Sequence, residues 1–151
     1  MIHTRQSVYR GFSSEEGWTF VEAIVVIAII VLLTGTVAFT AVRYVERARR
    51  ASAEIQIESV GLALHAYYLD TGGFPTEAQG LSALWEHPVI SPLPASWQGP
   101  YVDRPIRLDP WGGEFEYLVP GPGGLPYELV SYGADGLPGG YDSDADISSA
   151  Q

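Results

Sequence analysis

The sequence predicts an α+β protein in which one long N-terminal helix packs on a small antiparallel sheet and an acidic loop closes the C-terminal end. Three observations lead there. A run of membrane length lies near the N-terminus, an apolar repeat at three- and four-residue steps continues it as helix, and two short β-rich segments flank a turn of proline and glycine. With 151 residues in all, the part beyond the apolar run has room for one modest core.

The apolar run AIVVIAIIVLLTGTVAFTAV, residues 23–42, is twenty residues without a charge. As a helix it would cross roughly 30 Å of hydrocarbon. Glu22 stands at its edge, and the nearest bases, Arg10 and Arg43, lie far off in sequence. An ionised carboxylate beside hydrocarbon needs a partner or a polar boundary. The run is preceded by a polar leader, MIHTRQSVYRGFSSEEG, and lacks the short core and small-residue cleavage site of a secretory signal. From these residues alone, a plain membrane anchor is one reading.

The helix continues through RYVERARRASAEIQIESVGLALHAYYLDTGG, where Ala53, Ile57, Val60, Leu64 and Tyr67 recur on one face. Gly72 and Gly73 end it, with Pro75 close behind. A second, short helix is expected in FPTEAQGLSALWE, with Thr76 as cap and Gln79 reaching back three residues later. A turn-rich stretch leads to EFEYLV and YELVSYG, which read as a hairpin because PGPGGLP between them suits neither strand nor helix. Asp109, Pro110 and Trp111 read as a structural turn over a packed aromatic.

Charge is unevenly spread within a net of -10: only Arg104 and Arg107 among the bases follow Ala51, against fourteen acids from Glu54 to Asp146. Such a surface repels phosphate backbones and disfavours nucleic acid as a partner. The absence of cysteine excludes disulfides and thiol chemistry, and His3, His65 and His87 have no ligand spacing for zinc. In SYGADGLPGGYDSDADISS, Asp135, Asp142, Asp144 and Asp146 crowd together without a base. Chemistry alone leaves a cation-binding loop or a solvated acidic tail; oxygen-only donors favour calcium over zinc or copper. The segment is not an EF-hand, because Ile147 stands where that loop needs glycine.

GWTFVE followed by a long apolar helix resembles the class III leader junction of type IV pilin-like proteins. YYLDTGGFPTEAQGL and RLDPWGGEFEYLVPG extend the resemblance to the major pseudopilins of type II secretion systems. The resemblance implies a pilin-like fold and three parts: a cleaved leader (1–17), a transmembrane or filament-core half of the helix (18–50), and a periplasmic globular domain (51–151). It implies cleavage between Gly17 and Trp18 by a prepilin peptidase, methylation of Trp18, and a mature chain whose fifth residue is Glu22, facing the cationic N-terminus of a neighbouring copy. Trp18 departs from the usual phenylalanine.

The implied function is a structural subunit, not an enzyme, that polymerises with itself into the pseudopilus and helps export folded proteins. Its implied partners are minor pseudopilins, the inner-membrane assembly platform and its ATPase. A structural calcium ion is implied too, held by the side chains of Asp135, Asp144 and Asp146 and the carbonyls of Tyr132 and Leu137, with Asp142 unassigned. Two other readings compete. A type IV pilus subunit would share the leader but often closes its C-terminal region with a disulfide. A membrane-anchored hydrolase would need two carboxylates in unlike environments. One pattern opposes the resemblance: Arg43, Arg47, Arg49 and Arg50 follow the span, which by the positive-inside rule would place the C-terminal side in the cytoplasm rather than the periplasm.

Overall fold

The computed structural model describes residues 19–150, and the chain divides into two compact units at Thr40/Ala41. One helix, α1, spans Phe20–Thr71 and contributes to both. In the first unit most of the described apolar side chains of α1 stand exposed, among them Phe20, Ile27, Val31 and Leu32. A helix surface of this composition requires burial in lipid or against another protein surface.

The second unit buries one face of α1. Ala53, Ile57, Val60, Leu64 and Tyr67, the face read from the repeat, are all buried, and Ala63 joins them. They meet Ala83, Leu84, Leu129 and Ile147 in a single cluster. The helix stops where the glycines predict: Gly72 takes a φ of 80 and its N–H donates to the Tyr68 carbonyl at 2.8 Å. Glycine adopts that conformation without the steric cost of a Cβ.

The expected second helix is replaced by a turn. The reciprocal cap does form, with Gln79 N–H donating to Thr76 Oγ1 at 3.2 Å and Thr76 N–H donating to Gln79 Oε1 at 3.0 Å. Gly80, at φ 60, breaks the run before an α-helical turn can propagate, and only a 3-10 turn at Leu81–Leu84 follows. The Gln79 amide is then used elsewhere: Nε2 donates to the carbonyls of Ile90 and Pro92, each at 2.7 Å, and pins the following loop.

The sheet has the order β1-β2-β3, all antiparallel: β1 Glu116–Leu118, β2 Glu128–Ser131 and β3 Ile147–Ser148. The predicted hairpin is present with shorter strands, Tyr117 pairing with Leu129 and Val130 with Glu116. The third strand lies beyond the hairpin read from sequence; Ser131 pairs with Ile147, whose side chain enters the core. Asp109 organises the approach to β1. Its Oδ1 accepts from Trp111 N–H at 3.0 Å and Gly113 N–H at 2.8 Å, and its Oδ2 accepts from the buried Ser131 hydroxyl. The Trp111 indole N–H reaches Glu46 Oε2 at 2.9 Å, tying this turn to α1.

Burial pushes the phenols of Tyr67, Tyr101, Tyr117 and Tyr127 above their ordinary value near 10. Tyr117 also donates to the Pro75 carbonyl at 2.9 Å. Because the folded-state values exceed the unfolded one, this contribution to stability is complete below pH about 10 and is lost as pH rises through the raised values. Denaturant midpoints measured on either side of pH about 10 are expected to fall on the alkaline side, and Tyr117→Phe to flatten that fall. Equal midpoints across that interval would mean the phenols are as solvated in the fold as in the unfolded chain.

Candidate functional site

Two regions carry the sequence-stated site residues. The first is the start of α1. Gly17 and Trp18 lie outside the described residues. Thr19 caps the helix: its Oγ1 accepts from Glu22 N–H at 3.2 Å and its carbonyl accepts from Ala23 N–H at 3.1 Å. Thr19 and Glu22 therefore occupy the two signature positions of a capping box, and the carboxylate sits in the first turn, where the helix dipole favours it. Glu22 is exposed, and its carboxylate has no salt bridge among the described residues.

The second region is the loop between β2 and β3. Gly133, at φ 62, is its second residue, and a Cβ there would lie 2.8 Å from the Ser143 carbonyl oxygen, so only glycine permits the two arms to close. Ala134 N–H donates to that same carbonyl at 3.0 Å. Asp135 Oδ1 accepts from Leu137 N–H at 3.0 Å, Asp146 Oδ2 accepts from Gly139 N–H at 2.9 Å, and the Tyr132 carbonyl accepts from Gly136 N–H at 3.2 Å. Asp144 Oδ1 is the acceptor of the Ser143 hydroxyl at 3.4 Å. Asp142 has the one positive φ, 55, of any non-glycine residue described, and its carbonyl accepts from Arg50 Nη1 at 3.3 Å.

Asp135, Asp144 and Asp146 thus share one loop, yet among the described residues no three acidic or imidazole side chains converge on a point. One atom bears on a cation. Asp146 Oδ1 is buried without a hydrogen-bond partner among the described residues. An unsatisfied buried carboxylate oxygen is costly, and a hard cation is one way to satisfy it. The residue types fit such an ion: carboxylates and carbonyls, with no nitrogen or sulfur donor among them. The Tyr132 phenol is bonded to Glu116, and that bond is the first cause of its being pushed up to about 12.

Residues 40–150 match the family of the type II secretion system (T2SS), protein G. The chain belongs to this family. The type II secretion system core protein G of Pseudomonas aeruginosa is 37% identical over 133 residues, covering 88% of this chain and 93% of that protein. Its counterpart in Vibrio cholerae is 36% identical over 134 residues, with 88% and 90% covered. Among solved structures, the crystal structure of the major pseudopilin from the type 2 secretion system of enterohaemorrhagic Escherichia coli is similar at a TM-score of 0.58 and 33% identity, over 68% of this chain and 87% of that one.

The long helix on a three-stranded antiparallel sheet is thus the protein G family fold expected from the sequence, and RLDPWGGEFEYLVPG forms the turn and first strand of its sheet. Three contacts had no local sequence signal: Arg50 with the Asp142 carbonyl, Glu46 with Trp111, and Asp109 with Ser131. Each joins residues far apart in the chain, whereas the Thr76–Gln79 cap, three residues apart, was legible.

Proposed function

We propose that this protein G family chain is a structural subunit that polymerises into the periplasmic pseudopilus of a type II secretion system and helps export folded proteins across the outer membrane. The observation that carries the reading is α1 itself: its first part exposes an apolar surface that no other described residue covers, and its second part carries the folded domain. Lipid before assembly and neighbouring copies afterwards would cover that surface in turn. The chain would rest in the bacterial inner membrane as a single-pass protein with its domain in the periplasm. A prepilin peptidase would cut between Gly17 and Trp18 and Trp18 would be methylated. Minor pseudopilins, the assembly platform and its ATPase would be the remaining partners.

Calcium would be held by Asp135, Asp144 and Asp146 with the carbonyls of Tyr132 and Leu137. Its contribution would be structural, favouring the folded loop by binding that state alone. The buried, unpartnered Asp146 Oδ1 supports this reading. No catalytic role is proposed; the family is one of structural subunits.

Intact mass and N-terminal sequencing of the chain from its native membrane test the processing. The expected result is a chain beginning at methylated Trp18, and Gly17→Leu should leave the leader attached. A native chain beginning at Met1 in cells with an active peptidase would favour the plain anchor.

A further inference from the structure

The arginines that follow the apolar run lie on the side opposite to the one the positive-inside rule would choose for this topology. Their placement on α1 offers a different role. Arg43, the first residue after the run, Arg47 and Arg50 recur at four- and three-residue steps and therefore share one helix face. At the helical rise, Arg47 lies about 6 Å beyond Arg43 along the axis, and Arg50 about 10 Å. A headgroup layer is roughly 5–8 Å deep on each side of the hydrocarbon. Arg43 and Arg47 fall within reach of it.

The local pairing separates Arg47, Arg49 and Arg50 further. Arg50 is committed to the domain, Nε donating to Glu54 Oε1 at 3.3 Å and Nη1 to the Asp142 carbonyl at 3.3 Å. Arg49 pairs with Glu46 at 3.1 Å. Arg47 is exposed, with its guanidinium 6.0 Å from the Tyr44 ring centroid, and has no carboxylate partner among the described residues. Tyr44 is itself exposed, at the chain position where an aromatic ring suits a membrane interface.

We propose that Arg43 and Arg47, with Tyr44 beside them, form a docking surface for the phosphodiester headgroups of anionic phospholipid. The inference rests on the membrane-anchored reading given above. Charge complementarity and continuity with the apolar run select lipid as the occupant: with Arg49 paired to Glu46 and Arg50 to Glu54, Arg43 and Arg47 give residues 43–54 a net positive charge directly after the span, which matches a layer of phosphates. A guanidinium binds a phosphate through two parallel hydrogen bonds, which suits this layer better than a point charge. The arginines then hold the resting subunit at the membrane surface, and their position reports headgroup binding rather than topology.

The test uses the full chain purified in mild detergent, with native mass spectrometry following the retention of added phosphatidylglycerol or phosphatidylcholine. Half-occupancy by phosphatidylglycerol is expected at roughly tenfold lower lipid concentration than by phosphatidylcholine. Arg43→Gln with Arg47→Gln should close most of that gap, Arg47→Lys should keep part of it, and Arg107→Gln should keep all of it. Equal retention of the two lipids, or an unchanged gap in the double variant, would overturn the proposal. Displacement by inorganic phosphate at similar concentration would overturn lipid as the occupant and point to a free-anion site. If alkaline carbonate strips the chain from its native membrane, the anchored reading and this inference fall together; if it stays and the lipids are retained equally, only the inference falls.

Discussion

Asp146→Ala is expected to remove the calcium-dependent part of the folded chain's thermal stability while leaving the calcium-free chain little changed. Asp146 Oδ1 is a buried carboxylate oxygen for which the described residues supply no donor, and its Oδ2 holds Gly139 N–H across the loop. A ligand at a hundredfold its dissociation constant stabilises by about 2.7 kcal/mol if only the folded state binds it. For a domain of this size that corresponds to roughly 10–20 °C in Tm. Wild-type Tm should therefore fall by that order on adding a chelator, and Asp135→Ala should behave like Asp146→Ala. A wild-type Tm indifferent to both chelator and added calcium would remove calcium from this loop, leaving the orphan oxygen as a plain cost of folding.

The legible parts of this chain are those with local causes. The buried face of α1 could be read because a helix brings residues three and four apart together, and Ala53 to Tyr67 follow that rule without exception. Gly72 ended the helix as its freedom at positive φ requires. The segment after Thr76 shows how local causes compete: the cap formed as read, but Gly80 at φ 60 prevailed over the helical repeat behind it. β3 was hidden because two residues carry no alternation, and Ile147 becomes a strand only through β2 beside it. In the acidic loop the sequence supplied the donor types, while the arrangement depends on Gly133 admitting the Ser143 carbonyl and on Arg50 meeting Asp142 from 92 residues away. Pairings of that span have no periodicity to betray them.

Glu22→Ala is expected to abolish filament assembly and to leave the domain folded. Two explanations of Glu22 make different predictions. As the fourth residue of a Thr19 capping box it contributes locally, an effect near a helix N-terminus of about 0.3–1 kcal/mol. As the partner of a neighbouring copy's N-terminal cation in an apolar filament core, its loss leaves a charge buried without compensation, at about 3–5 kcal/mol. That is more than a hundredfold in the association constant of each subunit. Glu22→Gln separates them, because it removes the charge at a local cost of at most about 1 kcal/mol and keeps the bond to Thr19 Oγ1, which the backbone N–H of residue 22 makes. Sheared filaments should be absent from Glu22→Gln as well as Glu22→Ala, with the domain's melting transition unchanged in both. Normal filaments from Glu22→Gln would assign Glu22 to the cap and leave the inter-subunit ion pair without support.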